Sequence, residues 1–192
     1  MFPETCQNIS NALQTGVSSQ SFLPGGGGGM AFDDFAVGLA SEEDIEGILG
    51  VQEENQPEHG GSLSARFTRE WFKQAIASKS LIVARSAKFV TGYVAFTPRE
   101  AQAHVPIIQA MLKAYPNPAA YLHGPICVAR EFRGRGIASA MFRAQRAHMQ
   151  QAPVMSFIRY DNEASRKAHI AMGLQEVAAF ELGKVRYVVV AG

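Results

Sequence analysis

The chain has 192 residues, 47% of them apolar, and a formal net charge of +1. That length suits one domain with a sizeable core and a tail to spare. No apolar run approaches the roughly 20 residues that span a bilayer, so no membrane segment is expected. The basic groups are scattered with few aromatics between them, which argues against a nucleic-acid surface.

The small net charge hides an asymmetry. No Lys or Arg precedes Arg66, and ten of the 17 acidic groups lie before it, from Glu4 to Glu58. Two readings follow: the halves pack and neutralise one another, or a basic lobe for an anionic ligand stands beside an acidic edge for a cationic one. Cys6 sits in a polar tail and Cys127 in a strand-like run. No disulfide framework is indicated, and a reducing, cytoplasmic location is expected. The N-terminus lacks the basic and apolar regions of a secretory signal.

Residues 1–32 are rich in Ser, Gln, Asn and Gly and end in the run Gly25 to Gly29. Such a run cannot specify a packed backbone, so 1–32 is expected to be a disordered extension and 33–192 the folded domain. Phe35 to Leu39 is a short first strand. Ser41 caps a helix with Glu42, Glu43 and Asp44 in its first turn, and Ile45, Ile48, Leu49 and Val51 form the buried stripe. Asn55 to Ser64 is a loop containing Pro57, Gly60 and Gly61. Thr68 caps a second helix, Arg69 to Ser78.

Leu81 to Ala84 and Phe89 to Thr97 form a hairpin. Arg99 to Tyr115 has helical spacing, with Pro106 starting or kinking the helix. Ala120 to Val128 is a strand, followed by a charged turn, the glycines Gly134 and Gly136, and a helix to about Gln151. Val154 to Tyr160 is a strand. Asn162 to Met172 is a helix closed by Gly173. Val177 to Leu182 and Val185 to Val190 are two last strands. Seven strands and five helices in this order make a mixed α/β layer architecture, and a strand of the last hairpin could pair with a second copy.

The glycine turn carries most of the chemistry. Paired glycines before a helix N-terminus suit a phosphate, because backbone N–H groups and the helix dipole both favour an anion. A triphosphate loop needs Gly-Lys-Ser/Thr, which does not occur. A dinucleotide fingerprint would need a third glycine where Ser139 stands, and an earlier place in the chain. Arg133-x-x-Gly136-x-Ala138, on a strand–turn–helix, matches the pyrophosphate signature of the GNAT superfamily of acyl-CoA-dependent N-acetyltransferases. Asn162-x-x-Ser165-x-x-x-His169-x-x-x-Gly173-Leu174 resembles the second signature of that family. The resemblance covers roughly residues 35–190.

The resemblance implies a central, mostly antiparallel seven-stranded sheet, splayed between strands 4 and 5 and flanked by four to five helices. It implies acetyl-CoA as cosubstrate, no metal, and a small-molecule or peptidyl amine as acceptor, attacked directly without a covalent enzyme intermediate. Backbone groups of Ile126, Cys127 and Val128 would pair with the pantetheine arm. The N–H groups of Gly134, Arg135, Gly136, Ile137, Ala138 and Ser139 would hold the pyrophosphate. Arg133 and Arg135 would either add charge or only shape the turn. Asn162 and Ser165 would meet the cofactor arm.

His169 takes the place where the family often has a Tyr that protonates the thiolate. His123 is a candidate base on the strand, although strand alternation argues against it unless a bulge shifts the parity. Glu53, Glu54, Glu58 and His59 lie on the loop that walls the acceptor side in this family. The expected activity is N-acetyl transfer. The alternative is an acyl-CoA sensor or interaction module without catalysis on the same fold.

Overall fold

The computed structural model describes residues 35–63 and 65–192. The expected extension, 1–32, lies outside the described residues. One seven-stranded sheet runs in the order β1-β2-β3-β4-β5-β7-β6. Its strands are β1 (Phe35–Leu39), β2 (Leu81–Ser86), β3 (Phe89–Thr97), β4 (Tyr121–Val128), β5 (Val154–Arg159), β6 (Gln175–Leu182) and β7 (Val185–Ala191). Every neighbouring pair is antiparallel except β4 and β5. The helices are α1 (Ile45–Glu54), α2 (Arg69–Ala77), α3 (Pro106–Ala114), α4 (Ile137–His148) and α5 (Glu163–Ala171).

Strand alternation sorts the core into two layers. Leu81, Val83, Tyr93, Ala95 and Cys127 point to one face and bury Ile48 and Val51 of α1 and Phe72 of α2. Leu122, Met155 and Val189 bury α3 through Ile108 and Met111. The alternate residues Ile82, Ala84, Val94 and Phe96 bury Ile137 and Met141 of α4 on the other face. Val154, Ile158, Val188 and Val190 cover Phe142 of α4 and Leu174, which follows α5.

The turn after Ser41, Glu42–Asp44, is a 3-10 helix ahead of α1 and not its first turn, and two later stretches also refine the expected boundaries. Arg99 to Tyr115 divides into a 3-10 turn at Arg99–Gln102 and α3, which starts at Pro106, where a residue without an N–H is tolerated. Strand β6 begins at Gln175, before Val177, because it is the edge strand and carries mostly exposed side chains that give little alternation.

Arginines from beyond residue 65 meet the acidic first half. Arg85 pairs with Asp44, Arg69 with Glu46, and Arg66 with both Glu53 and Glu58. Four of the ten acidic groups that precede Arg66 are thus met by arginines that follow them.

Two features of β4 set up the site. Its parallel pairing with β5 covers only Tyr121↔Val154 and Leu122↔Met155, so from His123 onward the two strands diverge. The second feature is a bulge opposite Ala95, where Val94 faces Ile126 and Phe96 faces His123, which leaves Gly124 and Pro125 against one residue. A bulge of this kind shifts side-chain parity by one. His123 and Cys127 are four apart and would share a face on a regular strand. Here Cys127 points to α1 and His123 to α4 and α5.

Candidate functional site

The diverging strands open a cleft of about 680 Å³. Ile126 and Val128 of β4 form one wall, the turn and first residues of α4 form the head, and α5 forms the other wall. Asn55, Gly60, Gly61 and Ser62 close one side. Among the described residues that line it, none is acidic.

The head of the cleft is backbone. Gly134 and Gly136 have φ of 76° and 78°, and a Cβ at either would meet nothing within 4 Å. Glycine is therefore needed there for the left-handed conformation and not for room. Gly136 is the N-cap of α4. The next three residues, Ile137, Ala138 and Ser139, belong to the first helical turn, whose N–H groups have no acceptor within the helix, and all three line the cleft.

The two arginines of the turn fold back onto it. The Arg133 guanidinium donates from Nε to the Val128 carbonyl at 3.3 Å and from Nη2 to Asn55 Oδ1 at 2.9 Å. Arg135 donates to the Glu131 carbonyl at 2.9 Å and lies over the Phe132 ring. Arg133 lines the cleft, so its charge contributes to the field there while its donors hold the turn.

Alternation also decides which strand groups face the cleft. Ala129 N–H donates to Thr91 O at 2.8 Å, and Cys127 lies opposite Tyr93 two residues away. In an antiparallel pair the residues bonded to the partner alternate, so Cys127 turns its N–H and C=O to β3. Ile126 and Val128 turn theirs to the open side. The Cys127 side chain lies in the core, where burial pushes its thiol up to about 11.

Helix α5 presents Asn162, Ser165 and His169 to the cleft together with Ala164 and Ala168. Asn162 is the N-cap, accepting from Ser165 N–H at 3.1 Å. Its amide also donates to Ser62 Oγ at 2.9 Å, tying α5 to the loop after α1. His169 is 4% exposed, and its Nδ1–H donates to the Ser165 carbonyl at 2.7 Å. Burial lowers its pKa, and the bond to Ser165 opposes that.

His123 lies behind His169, with ring centroids 5.4 Å apart and planes at 75°. It is 3% exposed, its Nδ1 bonds Gln145 Oε1 at 2.7 Å, and its Nε2 is buried without a partner. Burial, and then the neighbouring His169, lower its pKa to about 3. The bulge thus turns His123 away from the face of α1 to α3.

Glu53, Glu58 and His59 form a network with Arg66, and Glu54 accepts the Arg130 N–H. Asn55 was not legible as a site residue. Its amide donates to Val51 O at 2.8 Å and to Val128 O at 3.3 Å while its Oδ1 takes Arg133. The nearby pair Gly60-Gly61 was the available signal, since a Cβ on Gly61 would overlap the Asn55 backbone.

Residues 48–174 match the model of the acetyltransferase (GNAT) family. No curated protein is similar in sequence at a significant level. Among solved structures, Ard1 from Thermoplasma volcanium is similar at 16% identity, over 82% of this chain and 96% of that one, with a TM-score of 0.61. The ribosomal-protein-alanine N-acetyltransferase of Brucella melitensis is similar at 16% identity over 82% and 98%, with a TM-score of 0.61. The putative acetyltransferase yncA of Salmonella typhimurium, solved with its cofactor acetyl-CoA, is similar at 13% over 83% and 93%, with a TM-score of 0.61. At such identities the likeness concerns the fold.

Proposed function

Since the chain belongs to the GNAT acetyltransferase family, we propose that it transfers an acetyl group from acetyl-CoA to a primary amine of a small molecule or peptide. The observation that carries this reading is the convergence of three elements on one cleft. These are the N-terminus of α4, the unpaired edge of β4 and the polar stripe of α5. Each suits a different part of an acyl-CoA.

The N–H groups at the start of α4 suit a pyrophosphate in a wall without acids. The N–H and C=O groups of Ile126 and the N–H of Val128 suit the amides of a pantetheine arm, which would take the place of a pairing strand. The alanines of α5 leave room for that arm. Asn162 and Ser165 supply polar contacts beside it. The thioester would then lie beside His169, where the strands fork, and an amine would attack its carbonyl carbon directly. The chain contributes positioning and backbone polarisation of that carbonyl. Cys127 takes no part as a nucleophile, because its thiol is buried and held protonated.

Calorimetry with acetyl-CoA, followed by a screen of amine classes for release of free thiol, tests the reading. Saturable binding with thiol release supports it. Absence of binding at high micromolar acetyl-CoA overturns it. Binding without thiol release on any amine would favour an acyl-CoA sensor.

A further inference from the structure

We propose that His169 is a proton shuttle, one imidazole that takes the proton from the attacking nitrogen and returns it to the departing sulfur. This rests on the acetyl-CoA reading above and deepens it.

The argument begins with the tautomer. The Ser165 carbonyl can only accept, so the 2.7 Å contact fixes the His169 proton on Nδ1. The other nitrogen, Nε2, then carries a lone pair, and His169 is a wall of the cleft. Burial keeps this neutral form in place at neutral pH. An imidazole in that state has no proton on Nε2 to give to a thiolate. It must first acquire one.

A separate base to begin the cycle is missing from the described residues near the cleft. No acid lines it. Glu53 and Glu58 are engaged by Arg66, and Glu54 by Arg130. His123 is buried behind His169 and is not among the residues that line the cleft. One group can serve both ends of the reaction because the nitrogen and the sulfur are attached to the same carbon during the transfer.

The steps balance as follows. The amine nitrogen forms a bond to the thioester carbon, and the carbonyl π electrons move to oxygen. Nε2 of His169 takes a proton from the now cationic nitrogen. The carbonyl re-forms, the carbon–sulfur bond breaks, and the electron pair leaves with sulfur. The imidazolium returns its Nε2 proton to that thiolate. His169 ends neutral, and the products are the amide and a free thiol.

His123 and Gln145 act as positioning residues. Gln145 is fully buried on α4 and holds the His123 ring, whose edge-on packing supports His169 from behind. Of the titratable and charged groups around the imidazole, His123 from β4 packs against it, Arg146 on α4 acts on His123 from beyond, and Arg133 of the glycine turn lines the same cleft.

The test is NMR of the full chain labelled with 15N-histidine, alone, with CoA, and with desulfo-CoA, which lacks the sulfur. The His169 signals are those lost in His169→Asn, or in His169→Phe if the first variant misfolds. At pH 7 Nε2 is expected to be unprotonated and Nδ1 protonated, and CoA but not desulfo-CoA should shift Nε2. A protonated Nε2, or equal response to both ligands, overturns the shuttle while leaving the acetyl-CoA reading intact. Absence of binding by either ligand overturns both.

Kinetics on the amine found in the screen give an independent readout. The shuttle requires kcat to fall as pH drops through the His169 ionisation, since the lone pair is then lost. A resting acid would instead lose activity as pH rises, and that profile would refute the proposal. His169→Asn should lower kcat roughly 100-fold or more with KM for acetyl-CoA nearly unchanged. Gln145→Leu should displace the pH profile, an effect that packing loss alone would not produce.

Discussion

Gly136→Ala separates backbone conformation from space in the glycine turn. Gly136 has φ of 78° and open space where a Cβ would project, so an added methyl meets no neighbour and acts only through the left-handed conformation. That conformation costs an L-residue roughly 1–2 kcal/mol. If the turn keeps its shape, stability falls by that amount, or roughly 2–8 °C in Tm for a domain of this size. If the turn relaxes, the first N–H groups of α4 rotate off the cleft. Losing one charge-assisted bond to a phosphate then costs roughly 1.5–3 kcal/mol, which is about ten- to more than 100-fold in Kd. Gly136→Asn is the control, since Asn visits this region with less penalty. Thermal unfolding measures the first outcome. Calorimetry with CoA and with pantetheine, which lacks the pyrophosphate, measures the second. Equal loss of affinity for both ligands, or an Ala variant matching wild type in both Tm and CoA affinity, would refute the assignment of this turn.

Three further outcomes follow from the titratable groups. Burial opposes the charge of Asp44, but Arg85 and the N–H and O–H of Ser41 outweigh it and hold its carboxyl below the ordinary value. Its contribution is present above the unfolded carboxylate pKa and lost as pH falls through the folded one, so urea unfolding should find Asp44→Asn about 1–3 kcal/mol less stable at pH 7 and equal to wild type at the acid end. His123 acts in the same direction over a higher pH window, because burial lowers its pKa to about 3. The unfolded chain binds the extra proton, so stability falls as pH drops from the unfolded value of 6.5 toward 3, and His123→Leu should flatten that slope. The Cys127 thiol, pushed up to about 11 by burial, should resist iodoacetamide at pH 7.5 in the native protein and react in urea, as read by peptide mass mapping.

Much of the fold was legible because its signals are local. Ser41 and Thr68 stop short apolar runs with caps, Pro106 starts a helix, and Gly173 ends one, so the element order could be written from the chain. The spacing of Asn162, Ser165 and His169 was legible for the same reason, since a helix puts i, i+3 and i+7 on one side. The unread parts depend on distant partners. Asn55 matters through Val128 and Arg133, more than 70 residues away. Arg133 has the composition of a phosphate ligand, and only the strand end beside it reveals that its Nε and Nη2 are engaged by Val128 O and Asn55 Oδ1. The orientation of His123 depends on a one-residue bulge at Gly124 and Pro125, which alternation counted along the sequence cannot supply.

The fork between β4 and β5 raises a physical question, because an unpaired strand edge inside a sheet is costly unless its polar groups are met. The structure meets part of that cost with side chains. Val128 O, which would otherwise seek a β5 amide, accepts from Asn55 Nδ2 at 3.3 Å and Arg133 Nε at 3.3 Å. Pro125, in the bulge, brings no N–H at all. Asn55 is itself fixed by Val51 O and by the Gly60-Gly61 loop wrapped over its backbone. The cleft is therefore held open from the α1 side before any ligand arrives, which reduces the ordering cost of binding. Asn55→Ala removes the bonds to Val51 O, Val128 O and Arg133 together. At about 0.5–1.5 kcal/mol for each of the three bonds, it should lower stability by roughly 1.5–4.5 kcal/mol and free the Arg133 guanidinium to move. If the fork is preorganised by this anchor, acetyl-CoA affinity falls as well, and amide exchange at Ile126 and Val128 changes without ligand. An Asn55→Ala protein that loses stability but keeps both wild-type affinity and wild-type exchange at these two residues would show that β4 stays splayed through its bulge alone.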